Sequence, residues 1–218
     1  MSTPETPPPG VDQDAVVIVD IEATCWENNQ PPPGQRGEII EVGACLLDLA
    51  TLRVSHKRSI LVKPVLSEIS PFCTELTTIT PEMVAAEGVT FAEACAALEA
   101  EFRAPRRLWG SWGSYDRRLF DEQCAHMGVP YPFSRSHVNI KHVFARYVSQ
   151  RKPLPMSAAM AMLKLEPEGT LHRGHDDAWN IAHILRVLLE RHKVKILGKY
   201  WKPRPHLTPA SNGGEPLR

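Results

Sequence analysis

The sequence has no surplus of either charge. Its 25 lysines and arginines balance 25 aspartates and glutamates over 218 residues. No basic field therefore marks a nucleic-acid-binding module, though an enzyme that meets a polyanion through bound metal and a local patch stays open. Paired cysteines are lacking too. Cys25, Cys45, Cys73, Cys95 and Cys124 are odd in number and scattered, with no C-x-x-C. Neither a disulfide framework nor a zinc knuckle is indicated, and reduced, core-filling thiols are expected. No apolar run reaches membrane-spanning length, and the N-terminus has neither the basic nor the apolar region of a signal peptide. A cytoplasmic protein without a membrane partner is expected.

The length suits one substantial α/β domain. Residues 1–14 are polar and proline-rich and read as a disordered arm. Val16-Val17-Ile18-Val19 is β-branched and reads as a strand buried on both faces. Residues 25–36, with Pro31-Pro32-Pro33-Gly34, read as a loop. Glu38–Leu49 and Arg53–Val62 read as two more strands, giving an antiparallel meander. Ser70–Thr80 is a short helical or irregular connector. Thr80-Pro81 and Thr90 are N-caps for helices to about Glu87 and Phe102. Leu108–Trp112 is a fourth strand, and Ser114 can cap a helix from Tyr115 to Met127, closed by Gly128. His137–Ile140 is a short last strand, followed by helices Lys141–Ser149 and Met156–Leu165. Asp176 opens a long helix to about His192, and from Val194 the chain reads as a tail. Strands followed by strand–helix alternation predict an α/β domain with a mixed sheet, antiparallel on one side and parallel on the other.

Asp20 and Glu22 end the first strand. Two apart on a strand, they point to one face. Adjacent carboxylates repel, and a hard divalent cation relieves that repulsion directly. Taken alone, a D-x-E pair reads first as a loop acid and a salt bridge, because short motifs match often by chance. Asp116, in the first turn of a helix after a strand, and Asp177, beside His172 and His175, occupy positions from which metal ligands are commonly drawn. Each also reads as an acid favoured by a helix dipole.

Taken in order, Asp20-x-Glu22, Asp116 and His172-x4-Asp177 resemble the DEDDh 3′–5′ exonucleases. The likeness is to the branch that trims histone mRNA and small interfering RNA 3′ ends, together with its bacterial relatives. It is carried by Val19–Cys25, Glu38-Ile39-Ile40-Glu41, Phe72-Cys73 with Leu76-Thr77, Gly110-Ser111-Trp112 with Tyr115-Asp116-Arg117, Asn139-Ile140-Lys141, and His172-Arg173-Gly174 with Asp176-Asp177 and Asn180-Ile181-Ala182. The resemblance implies a ribonuclease H-like fold with a mixed five-stranded sheet flanked by helices, and an exonuclease domain over residues 15–193 between the arm and a tail at 194–218. Two departures stand out. Thr78 occupies a position where these enzymes usually carry glycine, and the upstream nucleic-acid-binding module of longer members has no counterpart here.

The resemblance also implies a division of labour. Asp20, Glu22, Asp116 and Asp177 would hold two divalent cations, Mg²⁺ or Mn²⁺, about 4 Å apart, as in two-metal phosphodiester hydrolysis. Glu22 and His172 would be the catalytic pair, His172 taking a proton from the attacking water. His172 is favoured over His175 because the base must reach from outside the cage and the family spacing is His-x4-Asp. Ala23 and Thr24 would offer backbone N–H groups to the terminal sugar. Phe72, Leu76 and Trp112 would surround the last base, with plain core packing as the alternative. Arg117, Arg118 and Lys141 are candidate phosphate contacts. The expected substrate is a single-stranded RNA or DNA 3′ end, cut to 5′-mononucleotides, and no protein partner is inferable. Two other readings remain: a non-catalytic nucleic-acid-binding protein of the same fold, and a phosphoesterase for small nucleotides.

Overall fold

The structure, a computed structural model, describes residues 12–149 and 152–192. Five strands form one sheet: β1 (Asp12–Ala23), β2 (Ile39–Asp48), β3 (Val54–Leu61), β4 (Arg107–Ser111) and β5 (His137–Asn139). Their order is β3-β2-β1-β4-β5. β1, β2 and β3 form the antiparallel meander, while β4 and β5 extend it in parallel on the other side of β1. The mixed sheet expected from the sequence is the one observed.

Among the described residues, seven helices flank it: α1 (Pro71–Thr77), α2 (Pro81–Glu87), α3 (Phe91–Phe102), α4 (Tyr115–Met127), α5 (Ile140–Tyr147), α6 (Met156–Leu163) and α7 (Gly174–His192). The alternation of β1 decides how they are divided. Val16 and Ile18 join a core cluster with α5, α6 and α7 side chains, among them Phe144, Met160, Ile181 and Leu185. Val17, Val19 and Ile21 join the opposite cluster, with Phe91 and Leu98 of α3 and Phe120 of α4. Burial on both faces accounts for the nearly unbroken apolar run of this strand. Asp20 and Glu22 continue the even-numbered face, so they point toward α7.

Several boundaries differ from expectation. β1 begins at Asp12, so residues 12–14 are strand rather than arm. Charge pairing holds them there: Asp14 binds the Arg107 guanidinium and Asp12 meets Arg103 and Arg106. The rest of the expected arm and the expected tail lie outside the described residues. Asn28, at φ 55°, interrupts a short 3₁₀ turn at Glu27–Asn29 within the expected loop. Ser114 precedes α4 but makes no capping hydrogen bond; its hydroxyl instead accepts from Asn139. Thr80 and Thr90 do cap α2 and α3, the latter through a reciprocal capping box with Glu93.

Candidate active site

The two acids of β1 stand where strand, helix and loop converge. Asp20 lies beside Gly43 in the β1–β2 register, and Glu22 lies beside Glu41. α7 presses its first turn onto this part of the sheet. A Cβ on Gly43 would come within 1.8 Å of the Gly174 carbonyl carbon, and one on Gly174 within 2.9 Å of the Asp20 carbonyl oxygen. Only two bare backbones can approach so closely. This contact brings Asp177, one turn into α7, to the acids of β1.

Asp116 enters from α4. Its Oδ1 accepts from the Ile21 N–H at 3.2 Å, between the two β1 acids. The Ser111 hydroxyl also bonds to Asp116, and His137 Nε2 lies 2.9 Å from the same oxygen of Ser111. Burial holds the His137 pKa down to about 3, so this support is neutral across physiological pH.

The electrostatics are those of crowded carboxylates. Burial, then the charges of Asp116, Glu22 and Asp177, raise the Asp20 pKa well above the usual carboxylate range. Burial and the Asp177 and Glu41 charges push Glu22 to about 9. Burial raises Asp177 to about 6 and also raises Asp116. Asp177 Oδ2 accepts the His172 N–H at 3.1 Å, while Oδ1 is buried with no hydrogen-bond partner. An all-oxygen cluster with an orphaned buried oxygen and mutually repelling charges fits a hard cation.

His172 sits at the mouth of this cluster, exposed, in the left-handed region at φ 60°. One of its ring nitrogens lies within 4.8 Å of both the Glu22 and the Asp177 carboxylates. His175 is committed elsewhere, its Nδ1 2.8 Å from Glu41.

Glu41, matched only as part of a strand run, emerges as the organiser of the α7 entrance. It is fully buried. Its carboxylate accepts from Arg173 Nε at 3.2 Å, from the Gly174 N–H at 2.9 Å and from Ser59. Burial would raise its pKa, but the bonds from His175, Arg173 and Ser59 and the Arg173 charge outweigh it and lower the pKa to about 2. Adjacent glutamates on neighbouring strands thus behave oppositely: Glu41 is a compensated anion, while Glu22, without compensation, holds its proton through neutral pH.

The expected substrate contacts are placed unevenly. α1 is fastened to the end of β1 by Ser70 Oγ, which donates to the Cys25 carbonyl at 2.6 Å, and by the Cys73 thiol against the Ala23 carbonyl. Phe72 and Leu76, one turn apart on α1, are partly exposed there. The Thr24 N–H is already spent on the Glu38 carbonyl, 2.8 Å away, so it does not point into the site as expected. Trp112 turns inward, its indole N–H on the Leu154 carbonyl and its ring against Phe144. β4 ends at Ser111, so strand alternation gives no guide to the direction of Trp112. The open aromatic beside Asp116 is Tyr115, 49% exposed, with Arg118 over its ring.

The sequence matches the RNase T exonuclease family over residues 17–185. It is 27% identical over 216 residues to the 3′-5′ exonuclease Snipper of Drosophila melanogaster, covering 89% of this chain and 76% of that protein. To the 3′-5′ exoribonuclease 1 of Rattus norvegicus it is 30% identical over 195 residues, covering 84% of this chain. It spans only 55% of the rat protein. A crystal structure of the nuclease domain of 3′hExo, a DEDDh family member bound to rAMP, superposes with a TM-score of 0.72 at 28% identity, covering 82% of this chain and 92% of that one.

Proposed function

The chain belongs to this exonuclease family, and on that premise we propose that it is a metal-dependent 3′–5′ exonuclease that trims single strands, RNA before DNA, to 5′-mononucleotides. The observation that carries the reading is the meeting of Asp20, Glu22, Asp116 and Asp177 at one end of β1, with His172 at its mouth. A binding protein has no use for four repelling carboxylates facing a polyanion.

The four carboxylates would hold two divalent cations, Mg²⁺ or Mn²⁺. Bound there, the ions supply an activated water and charge stabilisation for the phosphate and the departing 3′ oxygen. His172 accepts the proton of the attacking water at a ring nitrogen; its loop lies outside the carboxylate cluster and exposes it to solvent, to which it can release that proton before the next turnover. Glu22 holds the water side of the site. Glu41 positions His172 indirectly, by fixing Arg173 and Gly174 immediately after it. Ser111 and His137 steady Asp116.

Phe72 and Leu76 form the wall against the last base, with Tyr115 rather than Trp112 as the exposed aromatic, beside Asp116. Stacking of this kind tolerates any base. Ala23 borders the terminal sugar. Closure around a final nucleotide requires a free end, and a 3′ phosphate would bring further negative charge to a carboxylate-lined site.

The test is degradation of 5′-labelled linear and circular single strands, RNA and DNA, with Mg²⁺, Mn²⁺ or EDTA. The expected result is metal-dependent shortening of the linear strands from the 3′ end and intact circles. Comparable cutting of the circles refutes the proposal.

A further inference from the structure

The geometry at the mouth of the site gives His172 a second chemistry. A ring nitrogen of His172 and one carboxylate oxygen each from Glu22 and Asp177 lie within 4.8 Å of one another. Asp177 is 7% exposed, and its Oδ1 is buried without a hydrogen-bond partner. His172 is held in its left-handed conformation by the bond from its own N–H to Asp177 Oδ2. A positive φ at a non-glycine residue persists where the surroundings enforce it. Imidazole and the two carboxylates are thus presented together by a short loop–helix junction.

We propose that His172, Glu22 and Asp177 form a capture site for an imidazole-seeking transition metal such as Zn²⁺, in which His172 is a ligand rather than a base. The choice lies with the ion. Mg²⁺ takes oxygen ligands and leaves the ring free. Zn²⁺ binds histidine nitrogen and carboxylate oxygen at about 2 Å, and three protein ligands with one open position make a common Zn²⁺ arrangement. Tetrahedral bonds of that length set ligand atoms about 3.3 Å apart, so the observed triangle, with sides of at most 4.8 Å, lies close to that size and includes the exposed His172 ring, which has room to adjust. Zn²⁺ also stands above Mn²⁺ in the general order of affinities for mixed nitrogen–oxygen sites.

The functional consequence rests on the nuclease reading: with its ring nitrogen occupied, His172 cannot accept a proton, and Zn²⁺ arrests the Mg²⁺-supported reaction. The binding itself does not depend on that reading. The experiment is calorimetric titration of the EDTA-stripped full-length protein with ZnCl₂ and, separately, MgCl₂, on the wild type and His172→Ala. Zn²⁺ affinity should fall at least about 10-fold, the lower bound for losing even an outer-shell partner, while Mg²⁺ affinity stays unchanged. In the wild type, the His172 ring nitrogen resonances should move with Zn²⁺ and not with Mg²⁺, a readout independent of how the variant folds. Equal Zn²⁺ affinity in the two proteins, or an unmoved His172 ring, overturns the capture site. Strand degradation is scored separately. A wild type inactive in Mg²⁺ that still binds Zn²⁺ through His172 refutes the nuclease reading and upholds the capture site.

Discussion

Replacing Glu22 by glutamine should make the metal-free protein more stable at alkaline pH. Glu22 ionises near 4.5 when unperturbed and at about 9 in the folded chain. A carboxyl with a raised folded pKa lends stability that is fully present below the unfolded value and is lost as pH climbs to the folded one. Asp177, at about 6, has completed its loss by pH 7. Below about pH 6.5, His137 imposes the opposite slope, because burial depresses its folded pKa to about 3. The window from pH 7 to 9 therefore reports Glu22 through the difference between wild type and variant, the other titrating groups being common to both. Two pH units at 1.36 kcal/mol each give a ceiling of about 2.7 kcal/mol from Glu22, and structural relaxation reduces this to about 1–2 kcal/mol. Urea denaturation in EDTA at pH 7, 8 and 9 should show the wild type weakening across the window and Glu22→Gln weakening less, the difference between them growing by about 1–2 kcal/mol. Saturating Mg²⁺ should bring the wild-type slope down to that of the variant. A metal-free wild type whose stability is flat or rises between pH 7 and 9 would refute the carboxylate-repulsion argument.

Asp20→Asn should keep its circular dichroism spectrum, melt no lower without metal, and lose strand degradation; near-normal turnover in Mg²⁺ would remove Asp20 from the metal cage. His172→Ala should lose activity by about 10² to 10⁴, the usual worth of a positioned general base, and a larger loss in His175→Ala than in His172→Ala would transfer the role. Glu41→Gln should destabilise by about 3 kcal/mol, the low end for breaking a buried ion pair, since Arg173 can turn toward solvent. A change in denaturation midpoint equivalent to less than about 1 kcal/mol would mean that Glu41 does not hold the α7 entrance. Thr78→Gly should stabilise by about 1 kcal/mol, because Thr78 closes α1 at φ 63° with its side chain in solvent; an unchanged or lower melting temperature would count against strain at this position.

What the sequence made legible was what short-range rules govern. The two-residue spacing put Asp20 and Glu22 on one face of β1, and the capping residues placed α2 and α3 within a residue. Thr78 stood out where glycine is usual, and its left-handed backbone supplies the reason. The illegible parts depend on distant partners or on the ends of elements. Nothing near Glu41 in the chain announces bonds to residues 132 and 133 positions away. Nor does the character of Asp12 and Asp14 reveal that arginines after α3 would draw them into the sheet. Trp112 takes the core packing that stood as its alternative, and Tyr115, given no role beforehand, is the exposed aromatic; both lie past the end of β4, where strand alternation gives no direction.

The contact between Gly43 and Gly174 makes the site a machined joint rather than a cushioned one. Side chains between two elements can repack into other rotamers and absorb an error; two touching main chains have no such slack. The separation between the β1 acids and Asp177 is consequently a hard stop, insensitive to which apolar residues fill the α7 face further along. The connection before α7 is tied to the same joint, through the Thr170 N–H on Asp176, the His172 N–H on Asp177 and Arg173 on Glu41. A single methyl group at residue 43 cannot be accommodated without lifting the whole first turn of α7 and carrying Asp177 and His172 with it. Variation is thereby steered toward the other loops and the far end of α7, while β2 and the helix entrance must change together or not at all.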